Sequence, residues 1–146
     1  MLHRAGPEDI DLILPLVAAY HSHEGIASSP EARRAALAPL LKGSDFGAVW
    51  LIGTHSAPIG YIAITFGWSI EMGGQDAFVD EFFLVPASRG KGHGQAALDL
   101  VTAELKARGV RALHLEVSRD NQAGQRFYRH AGFEPREGYF LMSHTL

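Results

Sequence analysis

The chain has 146 residues, 47% of them apolar and 20% charged, with a formal net charge of −3 and no cysteine. That is the length of one ordinary globular domain, and residues 1–146 are read as a single domain. The acidic balance excludes a global basic field for nucleic-acid phosphates, the missing thiols exclude disulfides, thiolate metal sites and a cysteine nucleophile, and the apolar runs fall short of the ~20 residues of a membrane helix.

The opening residues lack the basic-then-apolar order of a signal peptide, so a cytoplasmic protein with no membrane partner is expected. Leu2–Ala5 reads as a short strand, and Gly6-Pro7-Glu8-Asp9 as a turn into a helix with Pro and acids in its first turn. Ile10, Ile13, Leu14, Val17 and Tyr20 then recur at helical spacing and form one apolar face. Ser29-Pro30-Glu31 starts a second helix, and Gly43 stops it. From Gly47 the period changes. Val49, Leu51, Ile59, Tyr61, Ile62 and Ile64 lie in β-rich runs separated by His55-Ser56-Ala57-Pro58, which predicts a hairpin. Gly73-Gly74 marks a second turn before a strand over Ala77–Val85.

Gly90–Arg108 turns helical, with Ala97, Leu98, Val101 and Leu105 on one side and Gly109 as terminator. Leu113, Leu115 and Val117 alternate as a strand, Asp120 or Asn121 caps a last helix ending before Gly132, and Phe133–Glu134 and Tyr139–His144 are extended. This order predicts an α/β (α+β) fold with a mixed, mostly antiparallel sheet of about seven strands flanked by about four helices.

Arg89-Gly90-Lys91-Gly92-His93-Gly94 falls between a strand and a helix. A helix N-terminus offers unpaired N–H groups and the positive end of its dipole, and glycines let a phosphate approach the backbone. Arg89 and Lys91 add charge there, so a diphosphate is the expected guest, although the same glycines would also serve a plain tight turn. Lys91 is followed by Gly92 and not by Ser or Thr, which excludes a P-loop. Gly92-x-Gly94-x-x-Ala97 fits the letters of a dinucleotide fingerprint, with Glu116 as its ribose acid, but antiparallel strands precede it and too little chain follows for a doubly wound sheet.

The third candidate is carried by Arg89-x-x-Gly92-x-Gly94, by the approach Val79-Asp80-Glu81-Phe82-Phe83-Leu84-Val85-Pro86, and by Asn121 followed seven residues later by Tyr128 and then Gly132-Phe133. These blocks resemble the GNAT family of N-acetyltransferases. The resemblance implies acetyl-coenzyme A as cofactor, with its pyrophosphate on the amides of Gly90, Lys91, Gly92, His93, Gly94 and Gln95 and with Arg89 beside it. It also implies a pantetheine arm paired with the backbone of Phe83, Leu84 and Val85, at a splay between the fourth and fifth strands. Asn121 would contact the same arm, and a helix N-cap is its other reading. Tyr128 takes the position of a tyrosine near the thioester sulfur, where a phenol can protonate a leaving thiolate. Periodicity alone would make it a core aromatic beside Phe127.

The acceptor expected from the resemblance is a small-molecule primary amine, and the family favours a dimer. An amine arrives as an ammonium and must lose a proton, so Asp80 and Glu81 are the candidate bases and acceptor contacts. Strand alternation sends only one of them to the cleft unless a bulge intervenes. Val79-Asp80-Glu81-Phe82-Phe83 looks like the corresponding run of spermidine/spermine acetyltransferases, which hints at a cationic substrate. Glu71 is a third possible acceptor contact from the neighbouring hairpin. His21-x-His23-Glu24 invites a metal reading, but nothing else supplies a metal shell and none is assigned. A binding module that holds acyl-coenzyme A without turnover is the alternative function.

Overall fold

Gly47–Ile52 is buried residue after residue, which marks a strand covered on both faces. The computed structural model describes Met1–Leu146 and forms two compact units, Met1–Glu116 and Val117–Leu146.

The first unit holds one five-stranded sheet in sequential order, made of β1 (Leu2–Arg4), β2 (Gly47–Thr54), β3 (Ala57–Ser69), β4 (Gly74–Leu84) and β5 (Ala112–His114). The first four pair antiparallel, β1 and β2 across the long helical stretch 5–46 and the others through short turns, while β5 pairs parallel to β4 at the end of a helical crossover. Its helices are α1 (Ile10–Glu24), α2 (Pro30–Leu37) and α3 (His93–Ala107). α1 sits where the sequence signals place it, whereas α2 ends at Leu37 and a 3₁₀ segment over Ala38–Lys42 runs on to the expected stop at Gly43, and α3 starts at His93 instead of Gly90. Ser29 Oγ accepts from the Ala32 amide as the cap of α2, and Gly25 closes α1 in the left-handed conformation.

The two faces of β2 separate the core into layers. Val49 and Leu51 pack with Tyr61, Ala63 and Phe83 against Ile13, Leu16 and Val17 of α1 and Leu37 of α2. Trp50, on the opposite face, donates its Nε1–H to Glu104 of α3 at 3.1 Å, and Ala97, Leu98, Val101 and Leu105 of that helix are buried. No helix is long and apolar enough to cross a membrane.

The second unit holds α4 (Gln122–His130). The expected strands at Phe133–Glu134 and Tyr139–His144 are absent, so the sheet has five strands and not about seven. A strand needs a ladder partner. Pro135 also removes a donor between the two segments, and Tyr139, Phe140, Leu141 and Met142 remain exposed. The strand expected over Leu113–Val117 stops at His114.

Candidate active site

The register of β3 against β4 slips by one residue beside Ala63. Ala63 pairs with Glu81 and Ile64 with Val79, leaving Asp80 as the extra residue of a β-bulge. The bulge breaks the alternation that would have sent two adjacent acids to opposite faces. Asp80 and Glu81 accordingly line one cavity of about 90 Å³, together with His21 of α1, Arg33 of α2, and Tyr61 and Ala63 of β3.

The two carboxylates are held differently. Tyr61 donates its hydroxyl to Glu81 Oε1 at 2.8 Å, and His21 Nε2 lies 2.6 Å from Glu81 Oε2. Both oxygens of Glu81 are therefore engaged. The other ring nitrogen, His21 Nδ1, is hydrogen-bonded to the Ser28 hydroxyl at 2.7 Å. Arg33 Nη1 in turn donates to the Ser28 carbonyl at 2.5 Å and its hydroxyl oxygen at 3.1 Å. Burial, then the adjacent Glu81 charge, pushes the Tyr61 phenol far above its ordinary range, so it stays a donor.

Asp80 reaches solvent and has no such donors. Its pKa is raised above the ordinary aspartate value, first by partial desolvation in the cavity wall and then by repulsion from Glu81, with Glu116 adding to the rise and His21 opposing it. A carboxylate without fixed donors and with increased proton affinity is the better proton acceptor of the pair.

Beyond Leu84 the chain makes a single 3₁₀ turn over Pro86–Ser88 and enters the Gly-rich segment. Gly90 and Gly92 have φ of 73° and 82°, which glycine adopts without strain, and open space lies where a Cβ on either would stand. Gly92 caps α3, and the first helical amide returned to it is that of Ala96, at 3.1 Å. The N–H groups of His93, Gly94 and Gln95 thus have no intrahelical acceptor. Lys91 is exposed beside them. This cradle fits a diphosphate. Arg89 is anchored beside the same turn, its Nε donating to the Leu84 carbonyl at 2.9 Å and its guanidinium lying over the Phe83 ring.

Pairing between β4 and β5 is confined to Asp76–Phe78 against Ala112–His114. Within the first unit, the following stretch of β4 pairs only with β3. Of the main-chain groups in Phe83, Leu84 and Val85, the Val85 amide already donates to Ile59 at 2.8 Å. The Leu84 carbonyl keeps a second lone pair beside Arg89.

Glu71 is exposed in the turn between β3 and β4 and does not line the cavity. Asn121 and Tyr128 belong to the second unit. Asn121 Oδ1 accepts from the Gly124 amide at 2.9 Å as the N-cap of α4. The Tyr128 ring meets Phe127 and Phe133 edge-on, with centroids 5.2 and 5.8 Å away.

His21, Ser28, Arg33 and Tyr61 were not among the sequence candidates for the site. His21 follows Val17 by one helical turn, so its place on the inward stripe was readable, but its partner Glu81 lies sixty residues away. His23, the other half of the histidine pair, is exposed beside Glu24 at 3.7 Å.

The model of the acetyltransferase (GNAT) family matches residues 16–133. An uncharacterized N-acetyltransferase of Methanocaldococcus jannaschii is 32% identical over 99 residues, which is 67% of this chain and 43% of that protein. The chain thus spans less than half the length of that curated relative. The crystal structure of an integron cassette protein from the mobile metagenome of Cole Harbour Salt Marsh is 36% identical, with a TM-score of 0.86 over 99% of this chain and 90% of that one. A ribosomal-protein-alanine N-acetyltransferase of Brucella melitensis biovar Abortus 2308 shares the fold alone, at 16% identity and a TM-score of 0.77 over 99% of both chains.

Proposed function

The chain belongs to the acetyltransferase (GNAT) family, and from that membership we propose that it transfers an acetyl group from acetyl-coenzyme A to a primary amine, directly, in a ternary complex. The observation that carries this reading is the bulge that turns Asp80 and Glu81 into one cavity, upstream on the same strand that leads to the Gly-rich cradle.

Acetyl-coenzyme A supplies the activated acyl group as a thioester. The amides of Gly90–Gln95 and the Lys91 ammonium hold its diphosphate, and the main chain of Phe83, Leu84 and Val85 aligns its arm. Two adjacent carboxylates attract the acceptor as an ammonium. Asp80 takes one proton from it, which frees the lone pair for attack. A C–N bond would then form as the C–S bond breaks, the nitrogen would give up a second proton as it becomes an amide, and that proton would replace the one delivered to the departing sulfur. The family resemblance assigns the delivery to sulfur to Tyr128. Glu81, kept in place by Tyr61 and His21, supplies negative charge without taking the proton.

Two measurements test the proposal together. Coenzyme A is expected to raise the melting temperature in a concentration-dependent way, and acetyl-coenzyme A is expected to release free thiol only when a primary amine is present. Stabilisation without thiol release on any of a broad panel of amines would leave a binding module and overturn the transferase reading.

A further inference from the structure

The cavity beside the bulge is lined by charges of both signs. Asp80 and Glu81 form one part of its wall and Arg33 another. The neighbouring Arg34 is neutralised by Asp11 at 2.6 Å, in solvent. Arg33, partly buried, has no carboxylate partner; its Nη1 is turned to Ser28 and the rest of its fork is uncommitted. An arginine so placed is a built receptor for a planar anion. It is separated from Glu81 by the hydrogen-bonded pair Ser28 and His21, so the two charges stand at different parts of one cavity instead of cancelling in contact.

We propose that the acceptor is a small aminocarboxylate, with its ammonium at Asp80 and Glu81 and its carboxylate at Arg33. The proposal rests on the transferase reading above and narrows its acceptor. A diamine or polyamine satisfies the acids equally well, but its second ammonium then meets Arg33 in a cavity where like charges are poorly screened.

The test compares glycine, β-alanine and γ-aminobutyrate with their carboxamides and with 1,3-diaminopropane and spermidine. It is made on wild type, Arg33→Gln and Arg33→Lys, both as acceptors in thiol release and as ligands in calorimetry without acetyl-coenzyme A. At least one aminocarboxylate is expected to exceed its amide and both polyamines tenfold or more in kcat/KM. Arg33→Gln is expected to raise the KM of that compound at least tenfold more than it raises the KM of the amide, with partial rescue in Arg33→Lys. Binding that depends on Arg33 without acetylation would support the ligand class and contradict the transferase. Acetylation of amides or polyamines in preference, or an equal effect of Arg33→Gln on all compounds, would overturn the aminocarboxylate and leave the transferase standing. Neither binding nor turnover of any compound would overturn both.

Discussion

Glu81 and Asp80 differ by one position in the chain, yet their surroundings assign them different work. Glu81 is fixed by Tyr61 and His21, and Asp80 faces the cavity with a raised proton affinity. A third acid, Asp9, is buried at the start of α1. Burial by itself would raise its pKa, but the Gly6 amide at 2.9 Å and His55 at 2.6 Å, with His3 nearby, bring it below the ordinary value. Removing its carboxylate leaves the Gly6 amide unpartnered, so Asp9→Ala is expected to cost about 1–3 kcal/mol at neutral pH. Because the folded pKa is lowered, that contribution is fully present above the unfolded value and fades as pH falls through the folded one. Urea unfolding of wild type and Asp9→Ala at neutral pH and near pH 3 checks this. A stability gap that does not narrow in acid would contradict the charge account.

At the scale of elements, the Gly-rich turn and the bulge do most to position the site. The turn was legible because its physics is local: glycines, cations and a following helix are adjacent in the chain. Gly92→Val is expected to abolish coenzyme A binding, and with a φ of 82° it also strains the backbone and lowers stability. Lys91→Ala separates the two effects. It removes only charge, so the melting temperature without ligand should hold while coenzyme A affinity falls several-fold, more at low salt than at high. Equal affinity at low salt would remove Lys91 from the site.

The bulge at Asp80 was not legible, because an extra residue in a ladder shows only against the partner strand's register. The cavity partners escaped for the same reason, as His21, Tyr61 and Arg33 reach it from three separate elements. The apolar periods of α1 and α3 and the turns at Gly43 and Gly73-Gly74 placed most of the elements of the first unit correctly. The expectation fails at Phe133–Glu134 and Tyr139–His144, which form no ladder and so are not strands.

At the scale of the whole molecule, Tyr128 of the second unit is the proton donor proposed from the family resemblance. Tyr128→Phe keeps the ring and its contacts with Phe127 and Phe133 but removes the proton. The expected result is a fall in kcat of ~10²-fold with little change in coenzyme A affinity. An unchanged kcat in a chemistry-limited assay would return Tyr128 to a packing role.

The division of labour on β4 is the central claim, and the pH dependence of kcat/KM in Asp80→Asn and Glu81→Gln, each against wild type, tests it most directly. Wild type is expected to lose activity in acid as Asp80 becomes protonated, at a pH above the ordinary aspartate range. Asp80→Asn should lose ~10²-fold or more near neutrality and recover in part as pH rises toward the pKa of the amine, when free amine no longer needs a base. Glu81→Gln should lose less and keep the acid limb. An Asp80→Asn enzyme with the wild-type rate and profile, or a Glu81→Gln enzyme that alone shows the loss and alkaline recovery, would contradict the assignment.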